Sequence, residues 1–173
     1  MPLSPDDLFA KLAALGIRTT TVRHPPLFTV GQRKELRGEL PGGHTKNLFL
    51  KDKKDRMWLV TAEEDRAIDL KALGTLLGAA GRVSFGSPGR LMRHLGVEPG
   101  AVSPMGLVND SAGQVSFVLD EGLLRHEVLN FHPLTNEATT AIARADFLRF
   151  LAATGHAPRI LALPARAPPR VGA

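Results

Sequence analysis

The sequence predicts a mixed α/β fold, α/β or α+β in class, built around one mixed sheet. Three observations carry this. Strand-like segments outnumber helical ones, hairpin patterns alternate with single helices, and 173 residues at 43% hydrophobic content suffice for one core and are short for two.

The elements follow in order. Ser4-Pro5-Asp6-Asp7 opens a helix: a hydroxyl caps it, proline fits its first turn, and two acids face the positive end of its dipole. Leu8, Leu12 and Leu15 form its apolar stripe and Gly16 ends it. Residues 17–23 are β-branched and threonine-rich, hence a strand, stopped by His24-Pro25-Pro26. A short helix is expected over 30–37, then a glycine-rich loop over 38–43. Residues 47–51 and 57–62 read as strands joined by a charged turn at 52–56. Because Leu48, Phe49 and Leu50 are consecutive, the first of these should be covered on both faces.

Downstream, 69–77 is helical, 83–85 a short strand, and Ser87-Pro88-Gly89-Arg90 starts a helix that ends near Gly96. Residues 106–109 and 114–119, separated by Asp110-Ser111-Ala112-Gly113, predict a second hairpin. Strands at 127–131 and 138–143, a helix at 146–154 with Phe147, Leu148 and Leu151 inward, and a strand at 159–163 complete the set. The domain is therefore drawn as 1–163, and the proline- and arginine-rich 164–173 as an unpacked tail.

Composition narrows the function classes. The chain has no cysteine, which excludes disulfides and thiolate chemistry. Its start has neither a basic nor an apolar signal region, so a cytoplasmic location and no membrane association are expected. Lysine and arginine exceed aspartate and glutamate by 22 − 17 = 5, an excess that attracts polyanions without choosing among them. Gly38 and Gly43 have P-loop spacing, but His44 stands where lysine belongs and a strand follows. Ser103 lacks the flanking glycines of a nucleophile elbow, and Pro104 removes the next backbone donor. His24, His44, His94, His126, His132 and His156 show no helical i, i+4 pair, so neither a metal nor a cofactor is expected. Glu63-Glu64-Asp65 reads as a helix-start cluster, and Asp120 with Glu121 as a solvated turn.

Three clusters remain: Lys46-Asn47 where a glycine loop meets an apolar strand, the bend over 100–104, and the turn Asn130-Phe131-His132-Pro133-Leu134-Thr135-Asn136 with Thr139 and Thr140 beyond it. Taken singly, each has a bland explanation as a strand-end charge or a turn.

Taken together, in this order and at these separations, Lys46-Asn47-Leu48-Phe49-Leu50-Lys51-Asp52, the 100–104 bend and His132-Pro133-Leu134-Thr135-Asn136 resemble the free-standing prolyl-tRNA editing proteins. These are homologues of the editing insertion of bacterial prolyl-tRNA synthetases. The likeness spans about 1–163 and is greatest to the deacylases that clear alanine from tRNA for proline. It implies a partly rolled mixed sheet with helices around it, and a pocket between the three clusters. It also implies metal-free, cofactor-free hydrolysis of the ester on the terminal adenosine of tRNA, water being activated by a ribose hydroxyl and backbone groups.

On this resemblance the catalytic set is Lys46, Asn47, Gly100, Ser103, Pro104 and His132, and the substrate-binding set is Thr29, Leu48, Gly106, Pro133, Asn136 and Thr139. A lysine can hold a phosphate or ribose oxygen, an asparagine can donate and accept, and the glycine-proline bend can bring backbone groups to an ester. His132 is expected as pocket wall and orienting group. The implied partner is the acceptor end of tRNA for proline, with prolyl-tRNA synthetase or an elongation factor as transient partners. A proline pocket cannot strongly reject alanine, since each missing methylene is worth only about 1 to 3 kcal/mol, so a second, smaller site must admit alanine and exclude proline.

One departure stands out: Gly31-Gln32-Arg33 follows Thr29-Val30 where family members often carry acids, which bears on the local helix and any RNA contact there. The alternatives are the same fold acting on cysteinyl- or seryl-tRNA, and, from another class, a non-catalytic nucleic-acid-binding module. The last has charge in its favour but no tyrosine and only 5% aromatic residues for base stacking.

Overall fold

The computed structural model describes residues 1–26 and 40–166. The helix expected over 30–37, and Thr29 with it, lie outside the described residues. Four α-helices, α1 (Pro5–Ala14), α2 (Leu70–Leu77), α3 (Pro88–Leu95) and α4 (Arg144–Thr154), surround eight strands among the described residues. These are β1 (Thr19–Arg23), β2 (Gly43–Lys51), β3 (Met57–Glu63), β4 (Ser84–Phe85), β5 (Val115–Asp120), β6 (Val128–Phe131), β7 (Ala138–Ala143) and β8 (Arg159–Leu161). They form one mixed sheet in the order β1-β7-β6-β2-β3-β5-β8, with β4 beside β2.

Local chemistry explains most starts and stops. At α1 the Ser4 hydroxyl accepts from the Asp7 N–H and the Asp7 carboxylate accepts from the Ser4 N–H, a reciprocal capping box. Asp69 caps α2 and Ser87 caps α3, while Gly78, Gly96 and Gly155 end three helices in the left-handed conformation that glycine adopts without strain.

The sheet is covered on both faces, and β3 shows how. Met57 and Leu59 enter a core shared with α1, α3 and α4, whereas Trp58, Val60 and Ala62 enter a second core with Leu73 and Leu77 of α2. Alternation of side chains along a strand assigns the two sets to opposite faces. Directly opposed residues of antiparallel neighbours share a face. Lys46 opposite Ala62 therefore lies on the α2 face, and Asn47 opposite Thr61 on the other.

Four expectations are corrected. Residues 106–109 are not a strand: Pro104–Asn109 is a 3₁₀ helix, and β5 pairs in parallel with β3 and β8 rather than in a hairpin. Pro104 at the first turn, with the Ser103 hydroxyl accepting from the Met105 N–H, favours the helical turn. Strand β2 begins at Gly43 instead of 47, because Gly43 and His44 pair with Leu129 and Asn130 of β6, a contact remote in sequence. Glu63 closes β3 rather than opening a helix, and receives Arg66, Arg125 and His126. Asp120 is fully buried, not solvated: it accepts from Arg66 Nε at 2.6 Å and from the Glu63 and Gly122 N–H groups.

Residues 164–166 also differ from the unpacked tail expected of them. Ala165 bridges Ile68, Pro164 accepts from the Asp69 N–H, and the Arg166 N–H donates to Ala67.

Candidate active site

The site arises from a fault in the sheet. Along one edge β2 meets β6 only at Gly43 and His44, in parallel, and meets β4 only at Leu50 and Lys51. Between them, residues 45–48 have no strand neighbour on that edge among the described residues. The His44 carbonyl accepts from Glu64 on the β3 side, and the Phe49 carbonyl accepts from Gly86 on the β4 side. Strand alternation then directs the backbone groups of Thr45 and Asn47 to the open edge. The Thr45 hydroxyl donates to the Asn130 carbonyl at 2.8 Å, holding the two strands where they begin to part.

A cavity of about 300 Å³ occupies this split. Lys46, Asn47 and Leu48 form one wall, Asn130, Phe131 and His132 another, and Pro99, Gly100 and Val102 close it. Because the gap lies in the plane of the sheet, adjacent residues on opposite faces of β2 both reach it. Lys46 and Asn47 are thus brought to one hollow from two sides.

Each wall residue is held. The Lys46 ammonium donates to the Arg66 carbonyl in the turn after β3. Burial pulls its pKa below the ordinary lysine value, opposed by Asp65, assisted by Arg66 and opposed again by Asp120 and Glu64. Arg66 is itself anchored to the buried Asp120 carboxylate, which raises the pKa of the guanidinium. The Asn47 carboxamide oxygen accepts from the Thr61 hydroxyl at 2.5 Å. His132 Nδ1 lies 3.0 Å from the Ala138 carbonyl, and a carbonyl only accepts, so Nδ1 carries the proton. The same logic applies to His24, whose Nδ1 donates to the Pro25 carbonyl at 2.8 Å while its Nε2 lies 2.8 Å from the Thr139 hydroxyl oxygen. Leu134, with φ of 65° and its side chain buried in the core, turns the chain back after His132-Pro133.

Of the residues expected at the site, Lys46, Asn47, Gly100, His132, Leu48 and Thr139 line this cavity. Asn136 is outside the lining but next to it: a Cβ added at Gly100 would stand 3.0 Å from the Asn136 amide nitrogen, a tight contact that glycine avoids. Ser103, Pro104 and Gly106 are placed outside the lining. Ser103 is fully buried with its hydroxyl capping the next turn, and Gly106 packs on Leu95 of α3. Pro133 lines a different cavity of about 250 Å³, beside Ser4, Phe9 and Thr21.

The lining also takes in His44, Thr45, Glu64 and Pro99, which sequence reading left out, and Val102, Asn130 and Phe131, which it placed in the clusters without assigning them a role. All but Glu64 are sequence neighbours of residues that were found. Asn130 is the most notable, because its Nδ2 donates to Pro41 and Gly43 across the strand junction while its buried Oδ1 has no hydrogen-bond partner among the described residues.

Comparison with known proteins agrees with this architecture. The aminoacyl-tRNA editing domain family matches residues 24–150, and the chain belongs to that family. It is 45% identical over 159 residues to prolyl-tRNA synthetase associated domain-containing protein 1 of Mus musculus, covering 90% of this chain and 94% of that protein. It is 36% identical over 150 residues to the prolyl-tRNA editing protein ProX of Acetoanaerobium sticklandii, covering 86% and 91%. A solved structure described as a candidate trans-editing enzyme for prolyl tRNA synthetase superposes with a TM-score of 0.68 at 22% identity, over 95% of this chain and 99% of that one, a likeness of fold. The family reached through the three sequence clusters is the family found.

Proposed function

We propose that the protein is a trans-acting deacylase that removes a small amino acid, alanine first, from mischarged tRNA for proline. The observation that carries this reading is that Lys46, Asn47, Gly100 and His132, from three remote segments, line one cavity. Membership of the aminoacyl-tRNA editing family and the name of the bacterial ProX relative support the substrate class.

In this mechanism the Lys46 ammonium draws a phosphate or ribose oxygen of the terminal adenosine to the mouth as a point charge. The ester then lies between the open edge of β2 and the bend at Gly100, where backbone groups approach it closely. Water adds to the ester carbonyl, the carbon–oxygen bond to the ribose breaks, and the ribose oxygen leaves with a proton as the amino acid departs. An aminoacyl ester is already reactive, so positioning and stabilisation of the developing oxyanion can supply much of the rate. His132, its Nδ1 committed to Ala138, forms the wall against which the aminoacyl group is oriented. Selection is by size: the pocket accepts a methyl side chain and excludes the pyrrolidine ring, the inverse of a proline-sized synthetase pocket. Its partner on this reading is the tRNA acceptor end, and its place of action is the cytoplasm.

The test is a panel of alanyl-, seryl-, cysteinyl- and prolyl-tRNA presented to the purified protein. Alanine is expected to be released fastest and proline not at all, with Lys46→Ala lowering the rate about 100-fold, the scale on which a transition-state contact acts. Release of none of the four amino acids overturns the reading.

A further inference from the structure

Behind the cavity, Thr61 is a buried polar residue with no part in the mechanism above. It lies on β3 directly opposite Asn47, is fully buried, and donates its hydroxyl hydrogen to Asn47 Oδ1 at 2.5 Å. An asparagine amide can be turned either way at little steric cost, and the hydrogen-bond network decides which way it faces. With the amide reversed, Nδ2 would donate to the Thr61 oxygen, and the Thr61 hydrogen would lose the acceptor it has. Among the described residues the Thr61 hydroxyl has no other hydrogen bond. A buried donor left without a partner loses the hydrogen bonds it made to water and gains none, and this penalty holds one orientation.

We infer that Thr61 is a positioning residue that fixes the Asn47 amide with its nitrogen toward the cavity, making Asn47 a hydrogen-bond donor to an oxygen of the bound substrate. This rests on the deacylase reading and sharpens it. An asparagine free to turn could donate or accept, whereas with Thr61 behind it only the donor is offered. Nδ2 makes no hydrogen bond to the protein among the described residues, while Oδ1 is engaged. The acceptor it meets is an ester, ribose or phosphate oxygen of the aminoacylated 3′ end, groups that carry lone pairs or developing negative charge. The nitrogen of an aminoacyl ammonium has no lone pair, so Asn47 does not read it.

The experiment compares Thr61→Val, which keeps shape and removes the hydroxyl, with Thr61→Ser, which keeps the hydroxyl, and crosses each with Asn47→Ala. Thr61→Val is expected to slow deacylation about 10-fold, Thr61→Ser to restore most of the loss, and Thr61→Val to add nothing in the Asn47→Ala background. A loss confined to kcat places the donor on the reacting carbonyl, and one confined to KM on a ribose or phosphate oxygen; either supports the inference. In parallel, the Asn47 side-chain amide resonances, assigned by their loss in Asn47→Ala, should shift in Thr61→Val and be retained in Thr61→Ser. An unchanged rate with unchanged resonances, failure of serine to rescue, or additive losses overturn the role of Thr61 alone. Absence of hydrolysis by the unaltered protein overturns the deacylase reading, a result distinct from any of these.

Discussion

Lys46 and Asn47 are consecutive residues that a strand must send to opposite faces, yet both line one hollow, because the sheet is interrupted where they stand. Their chemical types were legible in the sequence: a lysine and an asparagine ahead of three consecutive apolar residues call for an explanation other than burial. Their partners were not legible. Arg66, Thr61 and Asp120 are ordinary residues locally, and only the pairing of β2 with β3 and of β3 with β5 sets them behind the site. The charge of Lys46 is the property this scale can test. Burial lowers its pKa first, with Asp65 opposing, so the midpoint should lie below the ordinary 10.5. A carbon-13 titration of the Lys46 side chain should show that depression; a midpoint at or above 10.5 contradicts the enclosed placement.

At the scale of elements, the hairpin of β2 and β3 carries both the site and its support. Its turn was read as charged, and its central feature is Asp52, only 1% exposed. Burial alone would raise the pKa of this carboxylate. Hydrogen bonds from the Ala80 and Arg56 N–H groups, the Arg56 side chain and the Lys54 N–H outweigh it and hold the value at about 2, against an ordinary 3.8. A depressed carboxylate pKa contributes stability that is fully present above the unfolded value and is lost as pH falls through the folded one. Thermal stability should therefore drop between pH 3.8 and about 2, and Asp52→Asn should be less stable at neutral pH while lacking this part of the acid decline. An identical pH profile in the variant would show that the turn is not held this way. The glycines at the start of β2 have an equally physical reason. A Cβ at Gly42 would stand 2.6 Å from the Val128 carbonyl, and one at Gly43 2.7 Å from the His126 ring, so small residues let β2 approach β6. That approach is long-range, which is why the strand looked four residues shorter from its own sequence.

Across the whole molecule, two apolar cores clamp the sheet from both faces and leave the split between β2 and β6 as the site. The mixed α/β class, the helices and most strands followed from periodicity and caps, since those are local. Topology did not: the parallel pairings β2–β6, β3–β5 and β5–β8 join segments far apart in the chain, and the 3₁₀ turn over 106–109, favoured by Pro104 and the Ser103 cap, also packs on Leu95 of α3. The most direct test of the central claim is a crystal structure with a non-hydrolysable amide analogue of alanylated 3′-adenosine. The account predicts the analogue in the split, its acyl group between Asn47, Gly100 and His132 and an adenosine oxygen beside Lys46. Its appearance instead in the hollow beside Ser4, Thr21 and Pro133, with the split empty, would contradict it.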